Sequence, residues 1–179
     1  MKIRIVSLAI LSILLTTLIS CGSMEKLGNP ISRREKGVLE DIRTDINETY
    51  GFLGDAPRIN RGPCGRFAKL FYEEWNERFT RQVSISFIMS PDSLECYHVL
   101  IRMPNGDYYD GGNGILSKKK LVKKYEQGMY IIDMFEYDFE LLNKMSYGLD
   151  RTYDRCPNYT DEKTKEIIET HLDRLTTSD

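Results

Sequence analysis

The chain is poor in the residues that hold metals. It has two histidines and four cysteines in 179 residues. His98 and His171 stand far apart and no two cysteines lie close together, so the ligand spacing of a zinc site is missing. No metal and no other cofactor is expected. An excess of basic residues is also lacking. Lys and Arg number 25 against 27 Asp and Glu, a formal charge of −2, and a nucleic-acid binder would show a basic face. No internal repeat is visible, which excludes a solenoid or a propeller. The one basic cluster, Lys118-Lys119-Lys120 with Lys123-Lys124, is expected to be a solvated helix face. What remains is an ordinary globular composition, enough for one domain with a real core and too little for two.

The N-terminus carries the strongest signal. Lys2 and Arg4 form a short positive region, and an uncharged apolar run extends from Ile5 to Ile19. This pattern is a secretory signal, too short and wrongly flanked for a stable membrane span. It ends Leu18-Ile19-Ser20-Cys21-Gly22-Ser23. A small residue before cysteine, preceded by aliphatics, resembles the bacterial lipobox. The resemblance implies cleavage before Cys21 and acylation of Cys21, palmitate included, as the first residue of the mature chain. Several acyl chains on one residue give a stable membrane anchor, at about 0.8 kcal/mol per buried methylene. Gly22 and Ser23 lack the acidic residue that retains Gram-negative lipoproteins in the inner membrane. The expected location is therefore the cell envelope, lipid-anchored, and in a Gram-negative cell the outer membrane facing the periplasm. The expected organisation is a signal peptide over 1–20, a tether over 21–31, where Gly, Ser, Asn and Pro show no periodicity, and a domain over 32–179. Loss of Lys2 and Arg4 leaves the mature chain near −4.

Within the domain, Ser32 and Glu35 form a capping box ahead of Val38, Leu39, Ile42 and Ile46 at helical spacing. Gly62-Pro63 opens a second helix, whose stripe is Phe67, Leu70, Phe71, Trp75 and Phe79. Residues 81–89 alternate Val83, Ile85, Phe87 with Ser84, Ser86 and read as a strand. Ser117 caps a helix closed by Gly128, 129–135 reads as a strand, and 137–145 as a short helix. The segment 147–159 is aromatic and irregular and reads as a packed loop. Thr160 or Asp161 caps a final helix with Ile167, Ile168, Leu172 and Leu175. His171 in that polar helix is expected to be exposed.

The chemistry concentrates in two places. Residues 96–112 read as a hairpin turning on Pro104-Asn105-Gly106. Proline favours a type I turn centred on Pro104 and Asn105, with Gly106 as a left-handed bulge residue. Met103 then faces Asp107, and Leu100 faces Asp110. His98 and Asp110 share a face one diagonal step apart, while Asp107 points to the other. A histidine held by a carboxylate is a tuned general base. Cys64 lies in the first turn of the second helix, where free N–H groups and the helix dipole favour a thiolate. Arg61 and Arg66 would reinforce that if they approach it. The backbone N–H of Cys64 is a candidate oxyanion donor, and Asn60 a second.

With Cys21 acylated, Cys64, Cys96 and Cys156 remain, and an oxidising compartment leaves one of three unpaired. A Cys96–Cys156 disulfide, the tentative assignment, frees Cys64. A pairing of Cys64 with either partner would silence it.

Together these residues resemble the papain-like superfamily: cysteine at a helix start, then histidine and aspartate on consecutive antiparallel strands. The phrase His98-Val99-Leu100-Ile101 … Gly106-Asp107-Tyr108-Tyr109-Asp110 is most similar to the transglutaminase-like version, in which a short hairpin separates histidine from aspartate. The aromatic that commonly follows the nucleophile there is Gly65 here. The resemblance, covering residues 60–114, implies an α+β fold with helices packed on a small antiparallel sheet. It also implies Cys64 as nucleophile, His98 as base and Asp110 as orienter of a cysteine hydrolase or acyltransferase. In the envelope, a peptide or peptidoglycan-stem amide is the natural substrate. The alternative is a catalytically inactive lipoprotein that binds or excludes something at the envelope.

Overall fold

The computed structural model describes residues 29–53, 56–89, 96–125, 130–134 and 156–177. Cys21, the signal segment and most of the tether lie outside the described residues, as do Gly128, the helix expected over 137–145 and most of the aromatic loop. The fold is α+β.

Helix α1 (Arg33–Tyr50) begins at Ser32, whose side chain accepts from the Glu35 N–H while the Glu35 carboxylate accepts from Ser32 N at 2.6 Å. The expected capping box is present, and Val38, Leu39, Ile42 and Ile46 are buried. A two-residue ladder follows, β1 (Phe52–Leu53) with β2 (Ala56–Pro57), and then a 3-10 turn, Arg58–Asn60. Helix α2 (Cys64–Arg78) starts directly after Pro63 and buries Phe67, Ala68, Leu70, Phe71 and Trp75. Asn76 ties its last turns to the next strand, donating to the Val83 carbonyl at 3.1 Å and accepting from the Val83 N–H at 2.8 Å.

The main sheet contains β3 (Ser84–Met89), β4 (Cys96–Arg102), β5 (Tyr108–Asp110), β6 (Gly114–Leu116) and β7 (Tyr130–Met134), in the antiparallel order β6-β5-β4-β3-β7. Helix α3 (Lys118–Lys124) is capped by Ser117. It ends at Tyr125, earlier than glycine punctuation had placed it. Helix α4 (Asp161–Thr176) is capped by Thr160, whose hydroxyl accepts from Lys163 N at 3.1 Å.

Helices α1, α2 and α4 cover one face of the sheet. There Ile85, Phe87, Val99, Ile101 and Tyr109 join Leu39, Ile42, Phe71, Trp75, Ile168 and Leu172 in the main core. The other face carries a smaller cluster, Ile88, Leu100, Tyr108 and Leu121, closed by α3. This second layer covers β3 on both sides. Ser84 and Ser86, which alternate with Val83, Ile85 and Phe87, are buried. Small hydroxyls fit a strand that is covered on both sides and has little room.

His171 also departs from expectation. It is buried between α4 and α1, where Nε2 meets Asp45 Oδ2 at 2.7 Å and Nδ1 accepts from Arg174 at 3.0 Å. The Arg66–Asp161, Lys165–Glu74 and Arg78–Asp173 pairs fix α4 against α2. Among the described residues no helix is long and apolar enough to cross a membrane.

Candidate active site

The β4–β5 hairpin forms as its turn chemistry dictates. Gly106 N–H donates to the Met103 carbonyl at 2.9 Å, and Met103 N–H donates to the Asp107 carbonyl at 2.8 Å. Gly106 has φ 85°, the left-handed value that a bulge residue needs. Ile101 pairs with Tyr109 and Arg102 with Tyr108, the expected register. Asp107 stays local, accepting from the Asn105 side chain at 2.8 Å. Asp110 meets His98: Nε2 lies 3.0 Å from Oδ2, and both side chains are 2% exposed.

Asp110 is bound on all sides. Its Oδ1 accepts from Asn60 Nδ2 at 2.9 Å, Gly112 N at 2.9 Å and Asn113 N at 2.5 Å. Its Oδ2 accepts from Asn113 Nδ2 at 2.7 Å as well as from His98. Burial alone would raise its pKa. Hydrogen bonds from His98 and Asn113, with the His98 charge, outweigh burial and hold the carboxyl well below its usual range. The Gly111-Gly112 pair allows this packing. A Cβ on Gly112 would stand 2.4 Å from Asn60 Nδ2, and one on Gly111 would stand 3.1 Å from the Phe67 ring.

Cys64 is brought to His98 by α2. Pro63 gives the helix no side-chain cap, so the first-turn N–H groups, that of Cys64 among them, are not claimed by a cap. The paired part of β4 and β5 stops at Ile101 and Tyr109. Beyond that point Val99 N–H is free of the ladder and donates to the Cys64 sulfur, which also hydrogen-bonds His98. With His98 Nε2 occupied by Asp110, Nδ1 is the nitrogen left for Cys64. The start of α2 thus fills the gap beside β4 that β5 leaves.

The electrostatics follow from this line of contacts. Burial pushes the Cys64 thiol up, but the His98 hydrogen bond, the His98 charge and the Val99 N–H outweigh it, and the net shift is downward. Burial pushes His98 down, but bonds to Asp110 and Cys64 and their negative charges raise it to about 10. The two shifts, thiol down and imidazole up, both favour a thiolate–imidazolium pair backed by a carboxylate.

Two expectations need correction, and that for Asn60 needs extension. Asn60 gives one N–H of its side-chain amide to Asp110, so it positions the carboxylate; that bond engages one of the two amide donors. Its Oδ1 is buried without a partner among the described residues, because a carboxylate neighbour demands the N–H side. Cys96 and Cys156 are not joined; all three described cysteines are free. The Cys96 thiol donates to the His98 carbonyl at 3.2 Å and lies near Cys64, whereas Cys156 sits beside Arg58 and Tyr159. The two have different neighbours because the start of β4 belongs to the site and residue 156 to the approach to α4. Burial, with the Cys64 charge, pushes the Cys96 thiol up to about 12, whereas the Cys64 thiol is shifted down, so Cys64 is the more readily ionised of the two. Finally, Arg66 turns away to Asp161 and over the Tyr159 ring, and does not activate Cys64.

Sequence reasoning missed Asn113 and Tyr125. Asn113 gives Asp110 two hydrogen bonds; an asparagine three residues after an aspartate, across Gly-Gly, was its only signal. Tyr125 stacks on His98, with centroids 6.2 Å apart and ring planes at 24°, and nothing local foretells that contact. A cleft of about 270 Å³ opens beside His98, lined by Arg61, Tyr97, Asn113, Lys124 and Tyr125 among others. Among the described residues no group of histidine, cysteine and acidic side chains is arranged to hold a metal ion.

Comparison with protein-family models, with curated proteins and with solved structures gives no match.

Proposed function

We propose that the chain is an acylated envelope lipoprotein whose papain-like, transglutaminase-like domain is a cysteine hydrolase or acyltransferase. The observation that carries this reading is the contact line Cys64–His98–Asp110, with a lowered thiol, a raised imidazole and a fivefold hydrogen-bonded carboxylate. The papain-like assignment is supported by the arrangement itself: a helix starting at the thiol and packed on an antiparallel sheet whose consecutive strands carry His98 and Asp110. The anchor rests on the Leu18-Ile19-Ser20-Cys21 pattern. The envelope location that it implies makes a peptide or peptidoglycan-stem amide the natural substrate.

The Cys64 thiolate attacks an amide or thioester carbonyl carbon and forms a C–S bond. The oxyanion is received by N–H groups at the α2 start, that of Cys64 included. His98 gives its Nδ1 proton to the leaving amine or thiol as the carbonyl re-forms. It then takes a proton from the water or amine that attacks the acyl-enzyme, releasing the Cys64 thiolate. Asp110 keeps the imidazole in one orientation and balances its charge. Tyr125 covers one face of the ring.

The test is labelling by a neutral thiol reagent across pH, with hydrolysis of peptide amides assayed in parallel. Fast labelling of Cys64 near neutrality that collapses in His98→Ala, with hydrolysis lost in Cys64→Ser, is the expected result. Slow labelling unaffected by His98→Ala would overturn the catalytic reading and leave a binding or exclusion module. The anchor is tested separately: radiolabelled palmitate enters the wild-type chain in cells and not Cys21→Ser.

A further inference from the structure

The cleft beside His98 is cationic in a chain that is acidic overall. Elsewhere in the fold several arginines are paired with carboxylates, among them Arg43 with Glu40, Arg66 with Asp161, Arg81 with Glu35 and Arg174 with Asp41. Arg61 is exposed on the cleft and has no carboxylate partner among the described residues. Lys124 also lines the cleft, and its ammonium donates to Asn113 Oδ1, a neutral acceptor. That bond leaves its charge uncompensated and two donors free. It also fixes Lys124 in place, because Asn113 is held through Nδ2 by Asp110.

All five lysines of the expected solvated face, Lys118, Lys119, Lys120, Lys123 and Lys124, are exposed, and of these Lys124 also hydrogen-bonds Asn113, a member of the network that holds His98. None of the described residues that line the cleft carries a negative charge. The buried Asp110 carboxylate behind it is balanced by His98. Tyr97, 57% exposed, and Tyr125 supply flat flanks suited to a planar amide.

We propose that this cleft selects an acidic peptide substrate, with Arg61 and Lys124 holding a carboxylate next to the acyl group that Cys64 attacks. The proposal rests on the catalytic reading of Cys64 and names its substrate class. Arg61 offers a forked pair of donors that matches a carboxylate, and Lys124 a point charge. A concave site with two uncompensated cations concentrates anions by its field. Both are specificity residues: they bind a part of the substrate that does not react.

Two measurements separate this proposal from the reading beneath it. The first compares labelling of Cys64 by iodoacetate, an anion, and by iodoacetamide, its neutral analogue. The wild-type rate ratio should exceed that of Arg61→Gln/Lys124→Gln by about tenfold at low salt, and high salt should close most of that gap. Equal ratios in the two proteins would overturn the proposal while leaving a reactive Cys64 standing.

The second measurement uses Cys64→Ser, in which no acylation is needed. Acetyl-glutamate, acetyl-glutamine and inorganic phosphate are titrated while the His98 and Tyr125 ring resonances are followed. Tighter binding of acetyl-glutamate than of acetyl-glutamine, lost in the Arg61→Gln/Lys124→Gln background, is expected. Equal affinity for the acid and the amide, or no binding of either, would overturn the proposal even if Cys64 proved reactive. Phosphate binding more tightly than acetyl-glutamate would overturn the choice of a carboxylate.

Discussion

Asp110 and His98 face each other at 3.0 Å across adjacent strands, and the carboxylate that orients the ring is itself fixed by Asn60, Gly112 and Asn113. The pair sits where β5 turns away and α2 begins, so the loop after β5 and the start of the helix share one carboxylate. Loop geometry and the orientation of the His98 ring depend on the same set of hydrogen bonds.

Removing the carboxylate should therefore cost both. Asp110→Ala leaves a buried imidazole and several N–H donors unpaired, and a loss of about 3–5 kcal/mol is expected at pH 7. The Asp110 pKa is depressed in the folded state, so its contribution is present above the unfolded value of about 3.9 and is lost as pH falls below it. Denaturant midpoints should change little through Asp110 from pH 7 to about 5, then drop from about pH 4 toward pH 2, steeply for the wild type and less steeply for Asp110→Asn. Equal slopes would show that the carboxylate is not coupled to folding.

His98 should titrate far above an ordinary imidazole. Its pKa is raised to about 10, so the ring is protonated at pH 8, and its contribution to stability, full below the unfolded value of about 6.5, is lost as pH rises through about 10. Cys64→Ser removes a negative neighbour and should lower the His98 pKa. Ring nitrogen shifts followed by NMR from pH 6 to 11 would show it; an unchanged midpoint in Cys64→Ser would separate the two groups.

Labelling and hydrolysis should part at high pH. Labelling by a neutral reagent follows the Cys64 thiolate, favoured by a lowered thiol pKa, and should persist as His98 deprotonates near 10, whereas amide hydrolysis, which needs the His98 proton for the leaving amine, should fall there. Mass spectrometry after brief alkylation at pH 7 should find the reagent on Cys64, with Cys96, whose thiol is pushed up to about 12, left unmodified. Preferential modification of Cys96 would reverse the assignment.

Gly112 and Asn60 should behave as one unit. Gly112→Ala places a methyl 2.4 Å from Asn60 Nδ2, which must leave Asp110, and overpacking of this kind costs about 1–3 kcal/mol. Asn60→Ala removes both the clash and the hydrogen bond. The double variant should lose little more labelling rate or stability than Asn60→Ala alone, a coupling that a double-mutant cycle measures. Strict additivity would mean that Asn60 does not position Asp110.

The elements with strong local signals were legible in the sequence. Ser32 and Glu35 marked the start of α1, the Thr160-Asp161 pair that of α4, where Thr160 proves to be the cap, and Pro104-Asn105-Gly106 fixed a hairpin register that places His98 and Asp110 on one face. These follow from interactions within a few residues, or from the period of two along a strand. Local pattern gave no hint that β3 is covered on both faces, that His171 packs on Asp45, or that α3 stops at Tyr125. Each depends on which surface arrives from a distant part of the chain.

The site divides along the same line. The sequence by itself determined that a thiol would stand at a helix N-terminus and that a histidine and a carboxylate would meet across a hairpin, because backbone chemistry near each residue dictates it. Only the tertiary structure decided that α2 comes to rest beside Val99 and His98, that Asn60 serves Asp110, that Cys96 remains a free thiol near Cys64, and that Arg61 and Lys124 share the cleft. Those outcomes come from packing helices on a two-sided sheet, where burial of Phe71, Trp75 and Tyr109 sets the helix position and the polar groups must then find partners within reach.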